Sequence, residues 1–96
     1  MSISIEEFKE KNKYNTLNII DTRDEFSYNK DHIVNAKNIP ANYLMQAPEN
    51  FLNYKEVYYI YCQSGHTSNQ IVNILNNRGY HTVNIQGGYN NYISSR

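Results

Sequence analysis

The chain has 96 residues, among them ten Tyr and three Phe, which is enough apolar and aromatic surface for one modest core. Nine basic and nine acidic residues cancel to a formal net charge of zero. That removes both the basic excess that nucleic acids and acidic membranes select and the high net charge that accompanies disorder.

The elements follow in chain order. Ser4-Ile5-Glu6-Glu7 is a capping box, with Ser4 as N-cap, and predicts a short helix from about Ile5 to Lys13 with Ile5 and Phe8 inward. The amino terminus is charged early and lacks the apolar stretch of a signal peptide. Leu17 to Ile20 reads as a strand ending at Asp21, and the charged segment Thr22 to Lys30 as a loop and a helical turn. Asp31 to Pro40 reads as a turn, a short strand and a proline stop. Asp31 and Asn35, which tolerate the left-handed region, are expected at the two bends. Ala41 to Tyr54, interrupted by Pro48, predicts two short helical pieces.

Val57 to Tyr61 is an almost unbroken apolar run, the pattern of a strand buried on both faces. A tight loop, Gln63-Ser64-Gly65-His66, follows Cys62, and a helix is predicted to start near Thr67-Ser68. Ile71, Val72, Ile74 and Leu75 recur at helical spacing, and Gly79 is the expected stop after Arg78. Tyr80 to Ile85 is a further strand, Gln86-Gly87-Gly88 a break, and Tyr89 to Ile93 a short closing helix. No run approaches the roughly 20 apolar residues of a membrane span. Strands alternating with helices predict a small α/β domain over residues 1–96, with a central, mainly parallel sheet flanked by helices on both faces.

Ligands in such folds bind outside the carboxyl ends of the strands, where this reading places both Asp21 and Cys62. Cys62 is the only cysteine, so no intramolecular disulfide and no cysteine-rich zinc site is available, which fits a reducing compartment and a cytoplasmic location. Its place between a strand end and a helix start puts unpaired backbone N–H groups near the sulfur. Those favour negative charge there, so Cys62 is the candidate nucleophile. Gly65 lets the loop curl, and the Ser68 hydroxyl is placed to steady the loop or cap the helix. Asp21 and Arg23 are expected to fix loops through hydrogen bonds and an ion pair, and His32 to be structural or capping. His66 is expected at an exposed loop position, with partial positive charge near Cys62 as the functional alternative. No cofactor and no metal is expected, since Cys62 and His66 alone are two ligands without others nearby.

In this order the motifs resemble those of a rhodanese-like domain, the single-domain sulfurtransferase type. Ile20-Asp21-Thr22-Arg23 resembles the family's I-D-V-R. His32-Ile33 with Ala36 and Asn38-Ile39-Pro40 resembles G-H-I-x-G-A-x-N-I-P, with Asp31 and Asn35 where the family has glycines. Cys62 to Ser68 resembles the active-site loop C-x-x-G-x-R-S, and Gly87-Gly88 with Tyr92 the terminal G-G-x-x-x-W. Thr67 stands where the family usually carries arginine, and Tyr92 where it carries tryptophan.

The resemblance implies a sulfur relay. Cys62 takes sulfane sulfur from thiosulfate, or from a low-molecular-weight or protein persulfide, and passes it to a thiol, cyanide or a relay partner protein. Gln63, Ser64, Gly65, His66, Thr67 and Ser68 would form the substrate-binding loop. A non-catalytic binding or persulfide-carrier module is the alternative, kept open by Thr67. A phosphatase or arsenate reductase needs an arginine closing a five-residue loop, C-x-x-x-x-x-R, and Ser68 stands in that place.

Overall fold

The computed structural model describes residues 1–96. Five strands, β1 (Ser2–Ile3), β2 (Asn18–Asp21), β3 (Lys37–Asn38), β4 (Val57–Tyr61) and β5 (His81–Ile85), form one sheet in the order β1-β5-β4-β2-β3. Every pairing is parallel. The helices are α1 (Ile5–Tyr14), α2 (Glu25–Lys30), α3 (Ala41–Gln46), α4 (His66–Asn77) and α5 (Gly88–Ser94), with a 3₁₀ turn at Pro48–Asn50. None of them is long and apolar enough to cross a membrane.

β4 occupies the middle of the sheet and alternates its side chains between two cores. Tyr58 and Ile60 pack with Ile20, Leu44 of α3, and Ile71, Val72 and Leu75 of α4. Tyr59 and Tyr61 pack on the opposite face with Ile19, Ile33, Ile85, and Ile5 and Phe8 of α1. Full burial of an apolar side chain such as Phe8 or Leu75 contributes about 1.5–3 kcal/mol. Val57, at the start of β4, is exposed, so burial on both faces holds only from Tyr58 onward.

Local chemistry explains most boundaries. Ser4 Oγ accepts the Glu7 N–H at 3.1 Å and opens α1 as its motif predicts. Asp24 does the same for α2, taking the Ser27 N–H at 2.8 Å. Ser68, Ile71, Val72 and Leu75 form the buried stripe of α4, while Ile74 lies off it and faces solvent. Gly79 ends that helix, and the Tyr80 N–H returns to the Leu75 carbonyl at 3.1 Å.

Two expectations need correction. Asn35 is left-handed, with φ of 73°, but Asp31 is extended, with φ of −173°. Asp31 serves as the C-cap of α2, its N–H bonded to the Ser27 carbonyl, and that bond uses extended backbone. The second concerns α4, which begins at His66 rather than Thr67-Ser68, because left-handed Gly65 is its N-cap.

Candidate active site

Cys62 lies one residue beyond the carboxyl end of the central strand, and α4 starts four residues later. The intervening loop folds back so that the Gly65 N–H reaches Cys62 Sγ at 3.1 Å and the Ser68 N–H reaches it at 3.3 Å. The N–H groups of Gln63, Ser64, His66 and Thr67 bond to no acceptor within the protein. The amino end of a helix and the curled loop before it thus bring two N–H groups onto one sulfur. N–H dipoles aimed at one point in this way are the donors an anion binds, without a charged side chain.

Two glycine stretches make this curl. Gly65 has φ of 93°, and a Cβ there would come within 2.7 Å of the Gly87 nitrogen. At Gly88 a Cβ would collide with the Cys62 carbonyl oxygen and lie 3.0 Å from the Gly65 nitrogen. Backbone packs on backbone, so neither position has room for a side chain. The start of α5 then donates into the loop, Tyr89 N–H to Cys62 O at 2.9 Å and Asn90 N–H to Gln63 O at 3.0 Å.

The residues picked out from the sequence separate into two groups. Cys62, Gln63, Ser64 and Thr67 line a solvent-open mouth of about 420 Å³, together with Thr22, Arg23, Asp24 and Ser27. Gly65 and Ser68 lie beneath it. The Ser68 hydroxyl, fully buried, donates to Asn84 Oδ1 at 2.5 Å and so ties the loop to β5, leaving only its N–H for the sulfur. His66 is exposed and does not line the mouth. Asn84 escaped the sequence reading, although polar residues on the buried part of a strand, Asn84 and Thr82, were the signal available.

Beside the mouth lies a buried ionic network. Asp21 is fully buried and takes Arg23 Nε at 3.1 Å and Nη2 at 2.8 Å. Tyr61, its neighbour in the β2–β4 register, donates its hydroxyl to Asp21 at 2.5 Å. Burial first, and then that bond, raise the Tyr61 phenol far above its usual range, so it remains a donor. Burial works against the Arg23 charge, but the bonds to Asp21 outweigh it and the guanidinium is held protonated more firmly than usual. Arg23 also bonds the Asp31 carbonyl at 2.7 Å and stacks 4.1 Å from the Tyr89 ring centroid. Its Nη1 donates to Gln63 Oε1 at 3.3 Å, and Gln63 Nε2 donates to Asn90 at 2.6 Å. The ion pair therefore fixes the residue after the cysteine. His32 stacks on Tyr28 at 3.8 Å, away from the mouth. No group of three His, Cys, Asp or Glu side chains stands close enough together to hold a metal.

The rhodanese-like domain family matches residues 4–95. A solved structure from Staphylococcus saprophyticus is 36% identical with a TM-score of 0.87, over 95% of this chain and 91% of that one. A rhodanese-like domain protein of Staphylococcus aureus is 34% identical with a TM-score of 0.82, over 91% and 85% of the two chains. Reduced CoADR-RHD of Bacillus anthracis is 25% identical with a TM-score of 0.83, and the match spans 95% of this chain but 16% of that longer one. No match was found among curated proteins. With its parallel sheet, its lone cysteine in the loop after the central strand and a match running from Ser4 to Ser95, this chain belongs to the rhodanese-like domain family.

Proposed function

We propose that this protein is a sulfurtransferase that moves sulfane sulfur through a persulfide on Cys62, and that it takes persulfide donors more readily than thiosulfate. The observation that carries this reading is the pair of N–H bonds to Cys62 Sγ, at 3.1 and 3.3 Å, within a loop whose other N–H groups have no protein acceptor. The Cys62 thiolate attacks the outer sulfur of a donor R–S–SH. The donor S–S bond breaks, RS⁻ leaves with its electron pair, and Cys62–S–SH remains. An acceptor thiolate or cyanide then attacks the outer sulfur, and Cys62 leaves as thiolate. Sulfane sulfur changes carrier and no external oxidant or reductant is consumed. The N–H groups of Gln63 to Ser68 hold the negative charge on whichever sulfur carries it.

Thr67 sets the donor preference. It lines the mouth where an arginine would add a fixed charge and a forked donor, and it offers only a hydroxyl. Thiosulfate, a dianion, needs that charge more than a persulfide does. The same residue favours the second reading, a domain that carries a persulfide or binds a partner protein without turning over small donors. A reducing, cytoplasmic setting suits either role for a lone thiol.

Thiocyanate formation from glutathione persulfide and cyanide separates the two readings. Steady turnover by the wild type that disappears in Cys62→Ser is the expected result. Turnover retained in that variant contradicts the enzyme reading, and a single stoichiometric transfer would favour the carrier.

A further inference from the structure

Beside the mouth at Cys62 lies a second recess of about 350 Å³, lined by Arg23, Ser27, Lys30, Asp31, Gln63 and Tyr89. The two are neighbours that share Arg23, Ser27 and Gln63, and Cys62 lines the first. Polar partners in the second are unequally distributed. Lys30 forms no ion pair, since the only two in the protein are Arg23–Asp21 and Arg96–Asp31. Asp31 follows Lys30 in sequence and would be its obvious partner. The Asp31 carboxylate is instead engaged by the Tyr89 hydroxyl and by Arg96.

The Lys30 ammonium meets only the Phe26 ring, 5.5 Å away, and keeps its hydrogen-bond donors free. Arg23 spends Nε and Nη2 on Asp21 and the Asp31 carbonyl. Nη1 makes one bond of 3.3 Å, to Gln63, which leaves a second hydrogen unused. The recess thus offers two cationic donors, and the one carboxylate lining it, Asp31, is ion-paired with Arg96 and bonded by Tyr89 through Oδ2, with Oδ1 carrying no bond. A ligand group that answers this is an anion able to accept from both, a carboxylate foremost.

We propose that this recess binds the carboxylate of a small thiol whose sulfur reacts at Cys62, making carboxylate-bearing thiols the preferred sulfur acceptors and their persulfides the preferred donors. The proposal rests on the sulfur-transfer reading of Cys62. One subsite serves both directions. The thiolate that attacks the outer sulfur of Cys62–S–SH stands where RS⁻ departs when R–S–SH is the donor, so the body of the thiol lies in the same place. A recess of a few hundred Å³ is the size that holds a body of amino-acid or dipeptide scale.

The test uses the whole protein, loaded with one sulfur by glutathione persulfide, and follows unloading by 3-mercaptopropionate and by its uncharged analogue 3-mercaptopropionamide. Wild type, Lys30→Gln and Lys30→Arg are compared, with melting temperatures to establish that each is folded. Lys30 is exposed at the end of α2, so its replacement leaves the core intact. Lys30→Gln is expected to lower the rate with the carboxylate by about 1.5- to fivefold, the range of an exposed ion pair, and to leave the amide rate unchanged. Lys30→Arg keeps the preference, and high salt removes it from the wild type. Equal effects of Lys30→Gln on both acceptors, or none on either, overturn the subsite while leaving Cys62 transfer intact. Failure of the wild type to load at all overturns the transfer reading and the subsite with it.

Discussion

The Tyr89 N–H donates to the Cys62 carbonyl oxygen at 2.9 Å, so the last helix of the chain holds the first residue beyond the central strand. The bond requires α5 to approach the loop closer than any side chain permits, and Gly88 is the residue that allows it.

Gly88→Ala therefore places a methyl group against the Cys62 carbonyl, in a backbone with φ of 56° that L residues rarely adopt. We expect a loss of about 1–3 kcal/mol in stability from strain at a special backbone position, and a larger fall in sulfur loading, because the N–H groups around Cys62 move apart. Chemical denaturation together with the loading rate checks this. A variant with wild-type loading and stability would show that the close approach is dispensable.

Thr67→Arg restores a charged donor at the mouth. One charged hydrogen bond to a dianion is worth about 1.5–3 kcal/mol, or roughly 10- to 150-fold in rate. Cyanide-dependent turnover of thiosulfate should rise by a factor in that range, with a much smaller change for a persulfide donor. A folded Thr67→Arg protein with no gain would remove Thr67 as the reason for donor preference.

Asp31 gives a pH dependence. Its bonds to Tyr89 and then to Arg96 hold the carboxyl below its ordinary value of 3.8. Between the two values the unfolded chain binds more protons than the folded one, so stability rises with pH across that window. The contribution is complete above the unfolded value and disappears as pH falls through the depressed one. Melting temperatures of wild type and Asp31→Asn should differ near neutral pH and converge on acidification below pH 3.8. A gap that persists in acid would place the stabilisation elsewhere.

The parts of this molecule legible in the sequence are those that local chemistry determines. Ser4 with Glu7, the β4 run, the α4 stripe ending at Gly79, and Cys62 before a glycine loop each act within a few residues of themselves. What was illegible depends on partners far along the chain. β1 is two residues long and exists because Ser2 and Ile3 pair with Asn84 and Ile85 of β5. Asp31 looks like a turn residue until Arg96 and Tyr89 are folded against it. Ser68 reads as a loop or cap group, yet its hydroxyl is spent on Asn84, 16 residues later. Asp21 and Arg23, two positions apart, were readable as an ion pair, but their link through Gln63 to the cysteine loop was not.

The proposed mechanism requires Cys62 to accept and release sulfane sulfur. Intact mass spectrometry of reduced protein after incubation with glutathione persulfide, and separately with thiosulfate, tests it most directly, with Cys62→Ser alongside. One added sulfur is expected on the wild type only, faster from the persulfide, with its loss on adding cyanide or a thiol. An adduct on Cys62→Ser as well, or no adduct on the wild type with either donor, would contradict it.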